Sequence, residues 1–322
     1  MDARSWLRRF RKKLRPARPT ILMYHRVAHL ERDPWGLAVS PENFRDQLRL
    51  LSRERDILPL EDFVARLREN RLPRRAVAIT FDDGYRDNLV NAAPLLAKFD
   101  APATLFLATG PMREQRGYWW DLLEAMVLDS PAVEGKVRVG AEEVAFRLGP
   151  QGGAGPRPKW RAWHPPRSDR EALYYQLWSL IRPRPPGEVA DIMAELATLF
   201  PHWEAPEQGP MGSAEVGTLL ASSPFTLGCH TVDHPDLPAI HPDLARAQLV
   251  DNKAEVEALA NRPVTCFAYP YGRHDEKVVA LARDVGFAHA CTTTAGPMRG
   301  ANPLALPRAT AMDRASIGWL AS

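Results

Sequence analysis

Two stretches of the chain set acids and imidazoles where apolar runs end. Val77-Ala78-Ile79-Thr80-Phe81 leads into Asp82, Asp83 and Gly84. The run reads as a buried strand, and Gly84 breaks it. Two carboxylates ending a buried strand are costly to leave unpaired, which implies a cation partner. The competing reading is an Asp-Gly turn with both side chains in water. His230-Thr231-Val232-Asp233-His234 supplies two imidazoles four residues apart. Helical metalloprotease motifs share that spacing but carry Glu after the first His; here Thr231 follows, and Pro235 interrupts. A strand-to-loop segment can still aim both rings at one ion. With one of the two aspartates this makes a His-His-Asp set with positions open for water, which suits catalytic zinc. A two-His-one-carboxylate set also suits non-haem iron, although Val232 stands where those sites usually place the acid. Residue types alone leave open which aspartate meets the ion.

Two further stretches have the same form. Cys266-Phe267-Ala268-Tyr269-Pro270-Tyr271-Gly272 runs from strand into a tight turn. Its backbone N–H groups suit an oxyanion, and a purely structural turn is the alternative. Thr20-Ile21-Leu22-Met23-Tyr24-His25 is a first apolar strand ending in a histidine suited to general acid work.

The elements that must position these groups alternate. Pro41 opens a helix after Ser40, with Phe44, Leu48 and Leu51 at helical spacing. Leu60–Leu67 is a short helix. Leu89–Phe99 is a helix that Pro94 is expected to kink, and Pro102–Ala108 is a strand. After residue 222 come a strand at Phe225–His230, a helix at Asp243–Ala260 and a strand at Val264–Tyr269. A helix at Glu276–Val285 and a strand at Phe287–Thr292 follow. Strand, helix, strand order implies parallel βαβ units, whose strand C-terminal ends form the active face in barrels.

Residues 111–222 interrupt the alternation and read as a helical insertion, with helices at Tyr174–Ile181 and Glu188–Leu199. Gly149–Arg167 is rich in Gly, Pro and Arg and reads as loop or disorder. Trp119, Trp120, Trp160, Trp163, Trp178 and Trp203 suit stacking on sugars or lipid, but the insertion's own small core is the favoured reading for most of them.

A length of 322 residues allows one large domain. The net charge of +3 is too small to argue for nucleic acid. The three cysteines, Cys229, Cys266 and Cys291, are too dispersed for a disulfide framework or a CxxC metal site. No apolar run is long enough to span a bilayer. Residues 1–19 form a basic tail with Trp6, Leu7, Phe10 and Leu14 among its cations. It lacks the h-region of a secretory signal and suits peripheral contact with an anionic membrane. A cytoplasmic, membrane-associated step is the corresponding expectation.

Taken in order, Thr80-Phe81-Asp82-Asp83-Gly84, His230-Thr231-Val232-Asp233-His234 and Phe267-Ala268-Tyr269-Pro270-Tyr271-Gly272 resemble the first three motifs of the polysaccharide deacetylases. These are the NodB-homology enzymes of carbohydrate esterase family four. The resemblance covers about residues 20–110 and 223–310 and leaves the insertion outside. It implies an α/β fold, a distorted (β/α) barrel, together with a divalent metal, zinc first, and hydrolysis of N-acetyl groups on an N-acetylated glycan. Carried over, Asp82 is the catalytic base; Asp83, His230 and His234 are the metal ligands; Tyr271 offers its N–H to the oxyanion. Ala268 departs from the arginine that orients the base in many members, and Arg308 is the candidate replacement. No Leu-x-His motif lies near the C-terminus. Leu22-Met23-Tyr24-His25 looks like the permuted arrangement of the poly-N-acetylglucosamine deacetylases, which makes His25 the acid. The alternatives are a deformylase or O-acetyl esterase acting on a lipid-linked sugar, and a non-catalytic carbohydrate-binding scaffold.

Overall fold

The chain is described here by a computed structural model covering residues 17–149, 159–200, 203–204 and 209–316. Most of the basic tail and half of the Gly/Pro/Arg-rich segment lie outside these residues.

Each strand of the barrel is a short run of buried side chains. In chain order, the first half comprises β1 (Thr20–Tyr24), α1 (Pro41–Glu54), β2 (Asp56–Ile57), α2 (Leu60–Arg68) and β3 (Ala76–Asp83). It ends with α3 (Ala93–Lys98) and β4 (Ala103–Leu107). α1 begins on Pro41 and buries Phe44, Leu48 and Leu51, the face its spacing predicts. Pro94 does not kink one long helix. A wide π turn at Asn88–Ala92 comes first, and the proline sits in the opening turn of α3, where its missing N–H costs nothing.

The insertion is not wholly helical. It carries an antiparallel hairpin, β5 (Val133–Val139) with β6 (Glu142–Leu148), before α4 (Asp169–Ile181) and α5 (Pro186–Leu199). Leu123, Val127, Val137, Leu177, Ile181 and Leu196 form its own core. Trp160 belongs to that core, whereas Trp163 is 61% exposed.

The barrel resumes with β7 (Phe225–Cys229), α6 (Pro242–Ala260), β8 (Cys266–Ala268), α7 (Glu276–Asp284), β9 (His289–Cys291) and β10 (Ala309–Thr310). The sheet order is β9-β8-β7-β4-β3-β1-β10, with β2 beside β3, and every pairing is parallel. Register aligns Asp83 with Leu107, Leu107 with Cys229 and Cys229 with Phe267, so their C-terminal ends share one edge. Among the described residues β9 and β1 do not pair directly; a bridge from Cys291 to Leu306 and the two-residue β10 lie between them. This seam makes the sheet a curled, incompletely closed barrel.

Candidate active site

The fully buried β3 delivers Asp82 and Asp83 to the strand-end edge. Successive side chains on a strand face opposite ways. Here the left-handed backbone of Asp83 (φ 75°) and Gly84 (φ 94°) ends the strand, and both carboxylates serve one site. The positive φ of Gly84 is strained for any residue with a Cβ, and a Cβ there would also lie 2.5 Å from Leu107 Cδ1.

The HTVDH loop also departs from helical geometry, with Thr231 (φ 68°) and His234 (φ 56°) left-handed. Thr231 Oγ1 accepts from His234 N at 3.0 Å and closes the loop. One face of α6 clamps it. Asn252 Oδ1 accepts from His230 N at 2.9 Å, and the Gln248 amide pairs with Asp233 N and Oδ2 at 2.8 and 2.6 Å. Both imidazoles thereby point at Asp83, whose Oδ1 is 3.4 Å from His230 Nε2 and 3.5 Å from His234 Nε2. The three ligand atoms lie within 4.8 Å of one another.

That arrangement fits a cation. His230 Nδ1 is 2.7 Å from the Ala268 carbonyl, which can only accept, so Nδ1 carries the proton. The Nε2 lone pair of the neutral ring then faces a carboxylate oxygen that has no hydrogen-bond partner although it is buried. Two acceptors turned on each other are reconciled by a positive charge between them, and two imidazoles with one carboxylate are a zinc-type donor set. The electrostatics show the same draw toward positive charge: burial lowers the His230 imidazole, but Asp83 and Asp82 raise it overall. Burial pushes the Asp83 carboxyl up, yet the neighbouring His230 and His234 imidazoles hold it at about 2. Burial and the neighbouring His230 push His234 down to about 3, leaving a neutral ring able to ligate.

Asp82 is separate from this trio. Arg308, 1% exposed, grips it with two hydrogen bonds of 2.7 and 2.6 Å. The guanidinium is itself fixed by the Thr292 carbonyl at 2.8 Å and Thr80 Oγ1 at 3.1 Å. Burial raises the Asp82 carboxyl, and the Arg308 charge outweighs it, so the group sits below the ordinary carboxylate range. His25, at the end of β1, places Nε2 3.9 Å from Asp82 Oδ2. Its side chain is 15% exposed, against 2% for Asp82, so it faces the open side of the cluster. Tyr271 occupies a left-handed turn (φ 56°) after β8, with its ring 4.5 Å from that of His234.

The structure thus brings together Asp82, Asp83, His230, His234, His25, Tyr271 and Arg308. It also recruits Tyr118 and Asp236, which no sequence pattern singles out, and two of the tryptophans. Tyr118, in the insertion, donates its hydroxyl to the Asp83 carbonyl at 2.7 Å. Trp120 lies 4.8 Å from the His234 ring, and Trp119 Nε1 donates to the Tyr271 hydroxyl at 3.3 Å. Asp236, fully buried, is paired with Arg182 of the insertion and Arg273 of the barrel. The Tyr-Trp-Trp run was visible as aromatic, but nothing in its spacing tied it to Asp83.

A sequence profile for polysaccharide deacetylases matches residues 69–134 and 197–290. The aspartate pair, the histidine pair and Tyr271 fall inside these segments, and His25 and Arg308 fall outside. Among curated proteins, YxkH of Bacillus subtilis (strain 168) is 31% identical over 108 residues, which is 33% of this chain and 36% of that protein. The poly-beta-1,6-N-acetyl-D-glucosamine N-deacetylase of Staphylococcus aureus (strain MSSA476) is 33% identical over 87 residues, 27% of this chain and 30% of that protein. The chain therefore aligns with about a third of the length of these relatives. Two solved structures share the fold across nearly the whole chain. IcaB from Ammonifex degensii superposes with a TM-score of 0.58 at 18% identity, covering 95% of this chain and 98% of that one. The Streptococcus pyogenes deacetylase PplD, in complex with acetate, gives 0.58 at 20% identity, covering 92% and 94%. Strand-end motifs, profile and curled barrel agree, and the chain belongs to the polysaccharide deacetylase family.

Proposed function

We propose that the chain hydrolyses N-acetyl groups from the amino sugars of a glycan, with poly-β-1,6-N-acetylglucosamine as the model substrate. Asp83, His230 and His234 would hold a divalent ion, and the donor set favours zinc. When bound, the ion would act as a Lewis acid toward the acetamide oxygen and lower the pKa of a water toward about 7. Asp82 takes the proton of the attacking water, and Arg308 keeps that carboxylate ionised and correctly turned. The Tyr271 N–H receives the developing oxyanion, a type of donor whose removal costs about 3 kcal/mol. His25, on the exposed side, protonates the departing amine, which is otherwise a very poor leaving group. Trp119, Trp120 and Tyr271 give the site an aromatic wall suited to a sugar face.

The observation that carries this reading is the adjacency of two differently equipped carboxylates. Asp83 faces two imidazoles, and its neighbour Asp82 is held ionised by Arg308 with His25 3.9 Å away. Asp82→Asn should abolish acetate release from an N-acetylglucosamine oligosaccharide while bound metal stays near one ion per chain. Full activity in that variant removes Asp82 from the reaction. Formate release, or release from O-acetyl but not N-acetyl substrates, would replace the deacetylase reading with one of its enzymatic rivals, and metal binding without turnover on any of them would favour a carbohydrate-binding scaffold.

A further inference from the structure

The seam between β9 and β1 opens into a groove of about 1040 Å³, against about 60 Å³ for the pocket lined by His234 and Tyr271. Its mouth lies at the N-terminal ends of the strands, where Arg18 and Thr20 start β1 and Arg74 precedes β3. β3 is eight residues long, so the Arg74 rim is about 25 Å from the strand-end site, while the groove's inner end reaches Arg308.

Among the described residues the lining contains no acidic side chain. Arg18, Arg68, Arg74 and Arg299 stand exposed around it. None of the four has a carboxylate partner among the described residues. Arg68 spends one N–H on the Ala288 carbonyl, while Arg71 nearby is taken up by Glu69. Between the arginines lies an apolar floor of Val64, Leu67, Leu72, Pro297 and Met298. Unpaired guanidiniums above an apolar floor match a group that is a phosphate at one end and hydrocarbon at the other.

The chain supplies a second argument. The residues leading into Arg18 carry Arg8, Arg9, Arg11, Lys12, Lys13 and Arg15, interleaved with Trp6, Leu7, Phe10 and Leu14. Cations mixed with large apolar residues suit an anionic lipid interface better than a nucleic-acid backbone. This sequence joins the folded chain at the groove's rim.

We propose that the seam groove binds the headgroups of an anionic lipid surface, with the preceding basic segment reinforcing the contact. The barrel then stands with its strand N-terminal ends on the membrane and its strand-end site turned away from it. This assignment is independent of the reaction performed at that site.

The test is flotation of the full chain with vesicles of phosphatidylcholine alone or mixed with phosphatidylglycerol. Wild type should float only with the anionic vesicles. Arg68→Glu/Arg74→Glu/Arg299→Glu should lose partitioning by on the order of a hundredfold. Its neutral Gln counterpart should show a smaller loss, and both should keep the wild-type thermal melt because all three positions are exposed. Arg308 is left intact because it holds Asp82. A full-length variant with Arg8, Arg9, Arg11, Lys12 and Lys13 changed to Gln should still show the dependence on the three groove arginines. Unchanged flotation of the groove variants overturns the proposal, as does equal binding to phosphatidylcholine alone. Arginine-dependent binding of duplex DNA without binding to anionic vesicles overturns the lipid assignment.

Discussion

Arg308→Met removes a guanidinium from a site that is 1% exposed and leaves a side chain of similar reach. Two hydrogen bonds to Asp82 disappear, along with those to the Thr292 carbonyl and Thr80 Oγ1. Breaking one partner of a buried pair costs about 3–5 kcal/mol, against a total stability of about 5–15 kcal/mol, so the variant should fold with a much reduced margin. The sign of the pH dependence follows from Asp82. In the wild type its folded pKa is depressed, so the pair's contribution is present above the unfolded value of about 3.9 and fades as pH falls through the folded one. Without Arg308, burial acts with little opposition and the folded pKa moves up. The stability gap between wild type and variant should then be widest near neutral pH and close toward acid, where the carboxyl is protonated in both states. A base that must be ionised loses its function over the same range. The acid limb of the activity profile should therefore move to higher pH, each unit representing about 1.4 kcal/mol. Urea unfolding at neutral and acid pH, with acetate release followed across pH, measures both effects. Adding Asp82→Asn should relieve part of the stability loss, giving a coupling energy of up to about 3 kcal/mol. An unshifted acid limb, equal unfolding midpoints at neutral pH or strictly additive variants would refute the idea that Arg308 keeps Asp82 ionised.

Tyr118→Phe deletes only the hydroxyl that reaches the Asp83 carbonyl, an acceptor the Ala108 N–H also approaches at 3.4 Å. Stability should drop by about 1 kcal/mol and affinity for zinc by roughly tenfold, measured by competition with a chelator. Unchanged affinity would take the insertion out of the metal site. Glu124 gives a pH prediction of opposite sign to the Asp82–Arg308 pair. Burial, with Asp121, Asp33 and Asp129 nearby, pushes its carboxyl up to about 8, and Asp121 is pushed up to about 6. The folded state then holds a proton that the unfolded chain releases above about 4.3, so wild-type stability falls as pH rises toward 8. Glu124→Gln should remove that loss, gaining about 1–3 kcal/mol at pH 8 relative to pH 5 after allowance for its partial exposure. A difference between variant and wild type that does not change with pH would show that Glu124 stays ionised.

The strands and most of the site were legible for one reason. A buried strand must be written in apolar residues, so an acid or imidazole at its end stands out. β1, β3 and β7 announce themselves in this way, and β8 does so by running into the Tyr269-Pro270-Tyr271-Gly272 turn. Which aspartate meets the imidazoles was not legible from residue types, because the decision lies in the left-handed turn at Asp83 rather than in composition. The hairpin of the insertion was missed because Val-Glu-Gly-Lys-Val-Arg-Val and Glu-Glu-Val-Ala-Phe-Arg-Leu bury only part of one face and look polar beside the helical patterns that follow. The insertion's tryptophans divide in a way their number could not indicate. Trp160 fills its core, Trp120 packs near His234 and Trp163 is exposed. Gln248 and Asn252 clamp the histidine loop from a helix whose periodicity shows which face is buried but not which polar groups that face must satisfy.

Four residues of the site, Asp83, Thr231, His234 and Tyr271, hold left-handed backbone without being glycine. Each such conformation costs on the order of 1–3 kcal/mol, so the loops that shape the site are kept in tension by the rest of the fold. Glycine at any of these positions would relax the chain. A library screened for heat resistance alone would therefore drift toward glycine at the very positions that carry the ligands and the turn, and its hardiest survivors would be poor at holding an ion.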